Sequence, residues 1–157
     1  MKTNWFAIIV ALLLGVIIIW AIITQIREYH LQDDPKLKEL LMILEPLFKK
    51  DNYHSGILEI LNNRNVLEEI EVYKGDKSYT INKQKVYICL TNENGEYYNM
   101  NMLLFVFIHE IAHVLCDEIG HTEKFNEIFE ALLLKATEMG IYNPSIPVIQ
   151  NYCTYND

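Results

Sequence analysis

His109-Glu110-Ile111-Ala112-His113 is the part of this 157-residue chain whose residue types and spacing most directly suggest chemistry. On a helix, side chains four apart lie one turn apart on one face, so His109 and His113 can aim two imidazoles at one cation. Glu110 stands beside them, within reach of a water on that ion. Eight positions after His113, behind Gly120, His121 offers a third imidazole. Catalytic zinc usually takes three protein ligands and keeps a fourth position for water. The ion brings that water's pKa toward neutrality, and a neighbouring carboxylate takes its proton. The expectation is Zn2+ held by His109, His113 and His121, with Glu110 as general base. Glu118, Glu127 and Glu130 are alternative third donors, and Cys116, seven residues after His109, is either small core filler or an extra ligand.

Several elements must position these groups. Residues 102–108 (MLLFVFI) are almost wholly apolar, as in a buried helix. That helix is expected over about 100–119, capped by Asn99 or Asn101 and ended by Gly120 in a left-handed conformation. Thr122 then caps a last helix with Glu123 in its first turn. Its apolar stripe is Phe125, Ile128, Phe129, Leu132, Leu133 and Ala136, and Gly140 stops it. Before the motif, 78–81 and 85–90 read as strands around Asn82-Lys83, and 68–73 alternates weakly, predicting a small antiparallel meander. The strand within 86–90 is a candidate edge for binding an extended substrate. The tail, 141–157, reads as extended and able to pack back on the domain. Tyr142, Tyr152 and Tyr155 in it are candidates for stabilising an oxyanion.

The segment HEIAHVLCDEIGHTEKF (109–125) resembles the zinc-site segment of small SprT-like and WLM-like metallopeptidases. That group pairs a helical H-E-x-x-H with a nearby third histidine and then an aromatic residue, as His121 and Phe125 stand here. The resemblance is closer to metallopeptidases ascribed to large nucleocytoplasmic DNA viruses, where an H-E-[IL]-A-H helix, a C-[DN]-E-I-G-H turn and a strand like 79–90 recur. It covers about 78–142. It implies a zincin-like fold, zinc ligands at His109, His113 and His121, a catalytic Glu110, and a viral origin. The step from His113 to His121 is longer than in metzincins, which sets the chain apart from that group.

The remaining features bound the setting. Residues 5–26 carry no charge and are long enough as a helix to cross a bilayer. Trp5 and Tyr29 stand where an aromatic belt would lie, and Arg27 marks the exit. A cleaved signal peptide is the competing reading, but the run is long for one and no A-x-A site follows. Lys2 on one side against Arg27, Lys36 and Lys38 on the other favours a cytoplasmic domain. Three scattered cysteines, Cys89, Cys116 and Cys153, do not suggest a disulfide framework and point the same way. Beyond Arg27 there are 11 basic and 21 acidic residues, a net −10. Such a surface is unsuited to nucleic acid, because neutralising phosphates needs clustered Lys and Arg. Some SprT-like peptidases act on DNA-bound proteins, and this charge argues against that role. A polar linker at 29–34, a helix at 35–49 capped by Asp34 and bent at Pro46, and a short helix within 51–65 complete the pattern. His54 reads as a surface residue.

The sequence thus predicts an α+β protein. An anchor (1–27) precedes a zinc peptidase-like domain (28–157) acting on a peptide or protein substrate at a host endomembrane or virion membrane. The rival is a non-enzymatic membrane or virion component with a structural or vestigial zinc site. A fourth protein ligand would favour it.

Overall fold

The structure, a computed structural model, describes residues 5–49 and 56–153. Lys2, His54 and Tyr155 lie outside the described residues. The fold is mixed α+β, with a small three-stranded sheet and one N-terminal apolar helix.

That first helix, α1 (Trp5–Gln32), runs further than the apolar stretch. Arg27–Gln32 are mostly good helix formers, and continuing the helix keeps their carbonyls bonded. The expected linker therefore shrinks to Asp33 and Asp34. The segment Ile8–Tyr29 is long and apolar enough to span a membrane or act as a signal sequence. Near its end, Glu28 lies 3.4 Å from Lys85, which also pairs with Glu71 at 3.4 Å.

Helix α2 (Pro35–Leu44) begins as its sequence dictates. Asp34 accepts from Lys36 N at 2.9 Å and Leu37 N at 3.4 Å, with Pro35 at the first helical position. Pro46 ends the α geometry, and the chain tightens into a 3-10 turn at Glu45–Phe48. A 3-10 helix at Ile57–Asn63 and the short α3 (Val66–Glu69) lead into the sheet.

Strands β1 (Glu71–Gly75), β2 (Tyr79–Ile81) and β3 (Lys85–Cys89) lie in the order β1-β3-β2. The sheet is not the antiparallel meander expected: β1 pairs with β3 in parallel, and only β2–β3 is antiparallel. The reason lies in two local features. Asn82 and Lys83 both have positive φ (50° and 58°), and Gln84 N returns to Ile81 O at 3.0 Å, so β2 and β3 form a tight hairpin. The apolar β3, with Val86 and Ile88 fully buried, then takes the centre, and the chain leaving β1 crosses over its end. Gly75 permits that crossing, because a Cβ there would sit 2.7 Å from Lys77 O and 3.1 Å from Tyr87 Cβ. On the sheet face away from the core, Tyr73, Tyr87 and Tyr79 stack across all three strands at 5.1 and 4.8 Å.

Helix α4 (Met100–Leu115) packs against the other face of the sheet, with α2 and α5 (Glu123–Glu138) also against it. Asn99 caps α4 through Met102 N at 2.9 Å, and Thr122 caps α5 through Phe125 N at 3.3 Å. Leu40, Leu44, Val86, Leu103, Phe107 and Leu132 are among the fully buried centre of the core. The tail after α5 folds back, and Cys153 is disulfide-bonded to Cys89, 64 residues earlier, with Cα atoms 6.4 Å apart. This corrects the reading of the cysteines as unpaired, since a 64-residue separation gives no local signal of proximity. It also removes the cysteine argument for a cytoplasmic domain.

Two measurements check these supports. Asp34 is also held by Lys74 Nζ at 3.1 Å and the Tyr97 hydroxyl at 3.2 Å. Burial raises its pKa, but the bonds from Lys74 and the helix N–H groups outweigh this and hold it below the ordinary 3.8. Asp34→Ala should cost about 1–2 kcal/mol near neutral pH in denaturant unfolding. A depressed folded pKa stabilises fully above the unfolded value, so the deficit should shrink as pH falls below about 4. Cys89→Ser should lower unfolding free energy by about 2–4 kcal/mol, and non-reducing peptide mapping should find the 89–153 link in the parent.

Candidate metal centre

Helix α4 sets His109 and His113 one turn apart, with ring centroids 4.9 Å from each other. The helix ends sooner than its sequence suggests. Its last bond is Cys116 N to Ala112 O at 2.9 Å, after which Cys116 is extended (φ −73°, ψ 127°). Lys83, from the β2–β3 turn, donates through Nζ to the Cys116 carbonyl, satisfying an acceptor that further helix would have bonded. A helix continued to Ile119 would carry the chain roughly 9 Å beyond His113. Instead residues 117–120 loop back, with Gly120 at φ +87° inside the loop and not at the helix end. His121 thereby returns to α4, its Nε2 lying 3.1 Å from His109 Nε2.

One ligand atom from each of His109, His113 and His121 lies within 4.8 Å of the other two. Two nitrogens bound tetrahedrally at 2.0–2.1 Å stand about 3.3 Å apart, so the His109–His121 separation suits one zinc ion without rebuilding the loop. Helix α5 braces the rings. Phe125 stacks on His113 at 4.2 Å and meets His109 and His121 edge-on at 5.0 and 4.9 Å. Phe129 meets His109 edge-on at 5.1 Å.

The electrostatics favour neutral imidazoles, the form that ligates. Burial first, then the nearby His113 and His121, lower the His109 pKa to about 4. His113 is lowered for the same reasons, burial and then His121. Glu110 is 5% exposed, and burial raises its carboxyl pKa against a smaller opposing effect from Thr80. Thr80 Oγ1 donates to Glu110 Oε2 at 2.8 Å. Thr80 pairs with Val86, so the two share the sheet face turned toward α4.

These groups open onto a cleft of about 720 Å³ lined by the three histidines, Glu110, Tyr79 and Thr80. A second cavity of about 410 Å³ shares His109, Glu110 and Ser78 with it. Strand β2 forms the sheet edge beside the cleft, whereas β3 is paired on both sides. The nomination of 86–90 as a sheet edge does not hold, because the most apolar strand takes the buried centre.

All four motif residues converge here. Glu118 lines the same cleft, Glu127 and Glu130 are exposed on α5, and Cys116 is fully buried. Among the described residues none of these joins the histidine group. Tyr142 packs against Phe105, while Tyr152 lines the smaller cavity. Thr80 is the site residue that sequence reading missed. Only the hairpin register, with the helix docked on that face, reveals it.

No family model matches the chain, and no solved structure matches it significantly. The chain is 44% identical over 119 residues to the uncharacterized protein 136R of Invertebrate iridescent virus 6, covering 74% of this chain and 67% of that one. It is 42% identical over 100 residues to the uncharacterized protein 042R of Invertebrate iridescent virus 3, covering 63% of each. An uncharacterized protein of Acanthamoeba polyphaga mimivirus is 28% identical over 137 residues, with 74% and 68% covered. The matched region spans roughly two thirds of each of these relatives.

The geometry predicts about one zinc per chain when the full-length protein is purified in detergent without added metal, measured by elemental mass spectrometry. His121→Ala should weaken zinc affinity at least about tenfold in chelator competition. A metal-free parent that takes up no zinc on titration would remove the site.

Proposed function

This chain belongs to the family of large DNA virus proteins that includes protein 136R of Invertebrate iridescent virus 6, and we propose that it is a membrane-anchored, zinc-dependent peptidase of zincin-like fold. The observation that carries this reading is the convergence of three imidazoles and one buried carboxyl in the lining of an open cleft beside a sheet edge. Zinc held by His109, His113 and His121 would supply Lewis-acid polarisation of a scissile carbonyl and a water acidic enough to lose a proton near neutral pH.

The chain's own groups do the rest. Thr80 holds Glu110 Oε2, which leaves Oε1 to accept the proton of the attacking water and return it to the departing amine. Burial raises the proton affinity of that carboxyl, as a general base working near neutrality requires. An extended peptide can add along β2, its backbone bonding to the free strand edge while its side chains alternate into and out of the cleft. Helix α1 would hold this domain at a membrane surface, so the substrate would be a peptide or protein met there. The resemblance of 109–125 to SprT-like and WLM-like peptidases supports the same reading. A structural zinc site is usually closed by four protein ligands. The three-membered group among the described residues favours a site with an open position.

Glu110→Gln should reduce cleavage of a quenched-fluorescent peptide mixture by about 10²- to 10⁴-fold while zinc content stays at the parent level. Turnover that survives this change would rule Glu110 out as the base.

A further inference from the structure

The smaller cavity beside the metal centre has a chemistry of its own. Its sides are apolar: Met102, Phe105 and Val106 from α4, and Val148 and Ile149 from the C-terminal tail. It is also lined by His109 and Glu110, which line the main cleft as well. Whatever group enters it therefore lies beside His109 and Glu110.

The tail wall is built into the fold. At its start, Asn143 exchanges two hydrogen bonds with Asn101 on α4, at 2.8 and 3.0 Å. Midway, Ile149 N donates to Met102 Sδ at 3.3 Å. At its end, Cys153 is bonded to Cys89, its N–H donates to the Tyr98 hydroxyl at 3.1 Å, and the Tyr152 hydroxyl donates to the Cys89 carbonyl. Contacts of the same kind occupy the two hydroxyls in the lining, those of Ser78 and Tyr152. Ser78 Oγ accepts from Cys89 N at 2.9 Å and lies 3.1 Å from the Tyr152 hydroxyl. Among the described residues Glu110 is the only carboxylate in the lining, and Lys77 is exposed. A polar or acidic side chain entering would lose its hydration with little in return, whereas an apolar one would gain by burial.

We infer that this cavity is a side-chain subsite of the proposed peptidase, selecting a bulky apolar residue (Leu, Ile, Met or Phe) at one position flanking the scissile bond, with the disulfide-anchored tail as its specificity-determining wall. The inference rests on the peptidase reading and deepens it. A volume of about 410 Å³ lies within the range of pockets that enclose small ligands, so a large side chain fits. Burial of one such side chain gives a preference of about tenfold or more over glycine or aspartate.

The test digests a randomised peptide library with the full-length chain in detergent and maps the cuts by mass spectrometry. In parallel, the zinc-loaded Glu110→Gln chain captures peptides from the same library for sequencing. Val148 is exposed and lies outside the histidine group, so Val148→Asp should leave zinc content and melting temperature near the parent's. It should reduce the apolar preference at least about tenfold. Val148→Trp fills the cavity and should move the preference to Ala and Gly, which keeps the test decisive if the aspartate variant folds poorly. Apolar enrichment at one flanking position, shifted by these variants, supports the subsite. Cleavage with flat or acidic preference overturns the subsite and leaves the peptidase standing. Neither cleavage nor capture, with zinc bound, overturns the peptidase reading and the subsite with it.

Discussion

A carboxyl group taken out of water is costly unless it is hydrogen-bonded, and the bond between Thr80 and Glu110 constrains much of this structure. Thr80 reaches Glu110 only because β2 and β3 are joined in a register that turns Thr80 to the same face as Val86. That register depends on the two left-handed residues of the hairpin, Asn82 and Lys83. The same turn sends Lys83 to the Cys116 carbonyl, where it helps end α4. Ending α4 at Leu115 is what lets His121 come back to His109. One tight hairpin therefore orients the buried acid and shapes the return path of the third imidazole.

Packing does the remaining positioning. The histidines sit against Phe125 and Phe129, so α5 limits the tilt of rings that α4 and the loop deliver. Aromatic walls around imidazoles also exclude water, which keeps His109 neutral by desolvation. The tail adds a wall on the other side and is tied down by a bond between residues far apart in sequence. Such a link restricts the unfolded chain more than a short-range one does. The resulting frame holds the cleft between elements fixed at several points.

The N-terminal helix is continuous with this frame. Only Asp33 and Asp34 separate α1 from α2, and Glu28 meets Lys85 on β3. Asp34 serves at once as helix cap, partner of Lys74 and acceptor for Tyr97. The junction is thus built from ion pairs and a cap, and it leaves little slack between the apolar helix and the sheet.

Local signals carried much of the molecule. Apolar period marked α1, α4 and α5, Asp34-Pro35 and Thr122 marked helix starts, and Pro46 marked the end of α2, because each depends on neighbours within a few residues. The pairing of His109 with His113 was legible for the same reason, since helix geometry alone puts residues four apart on one face. Sequence could not set the strand order, the early end of α4, the partner of Glu110 or the Cys89–Cys153 pairing. Each depends on groups distant in the chain, and their distances become defined only when the core closes. The types of residue available for chemistry were determined by the sequence. Which of them share a cleft, and which edge and walls surround it, was decided by tertiary packing, because burial and strand pairing select among locally equivalent arrangements.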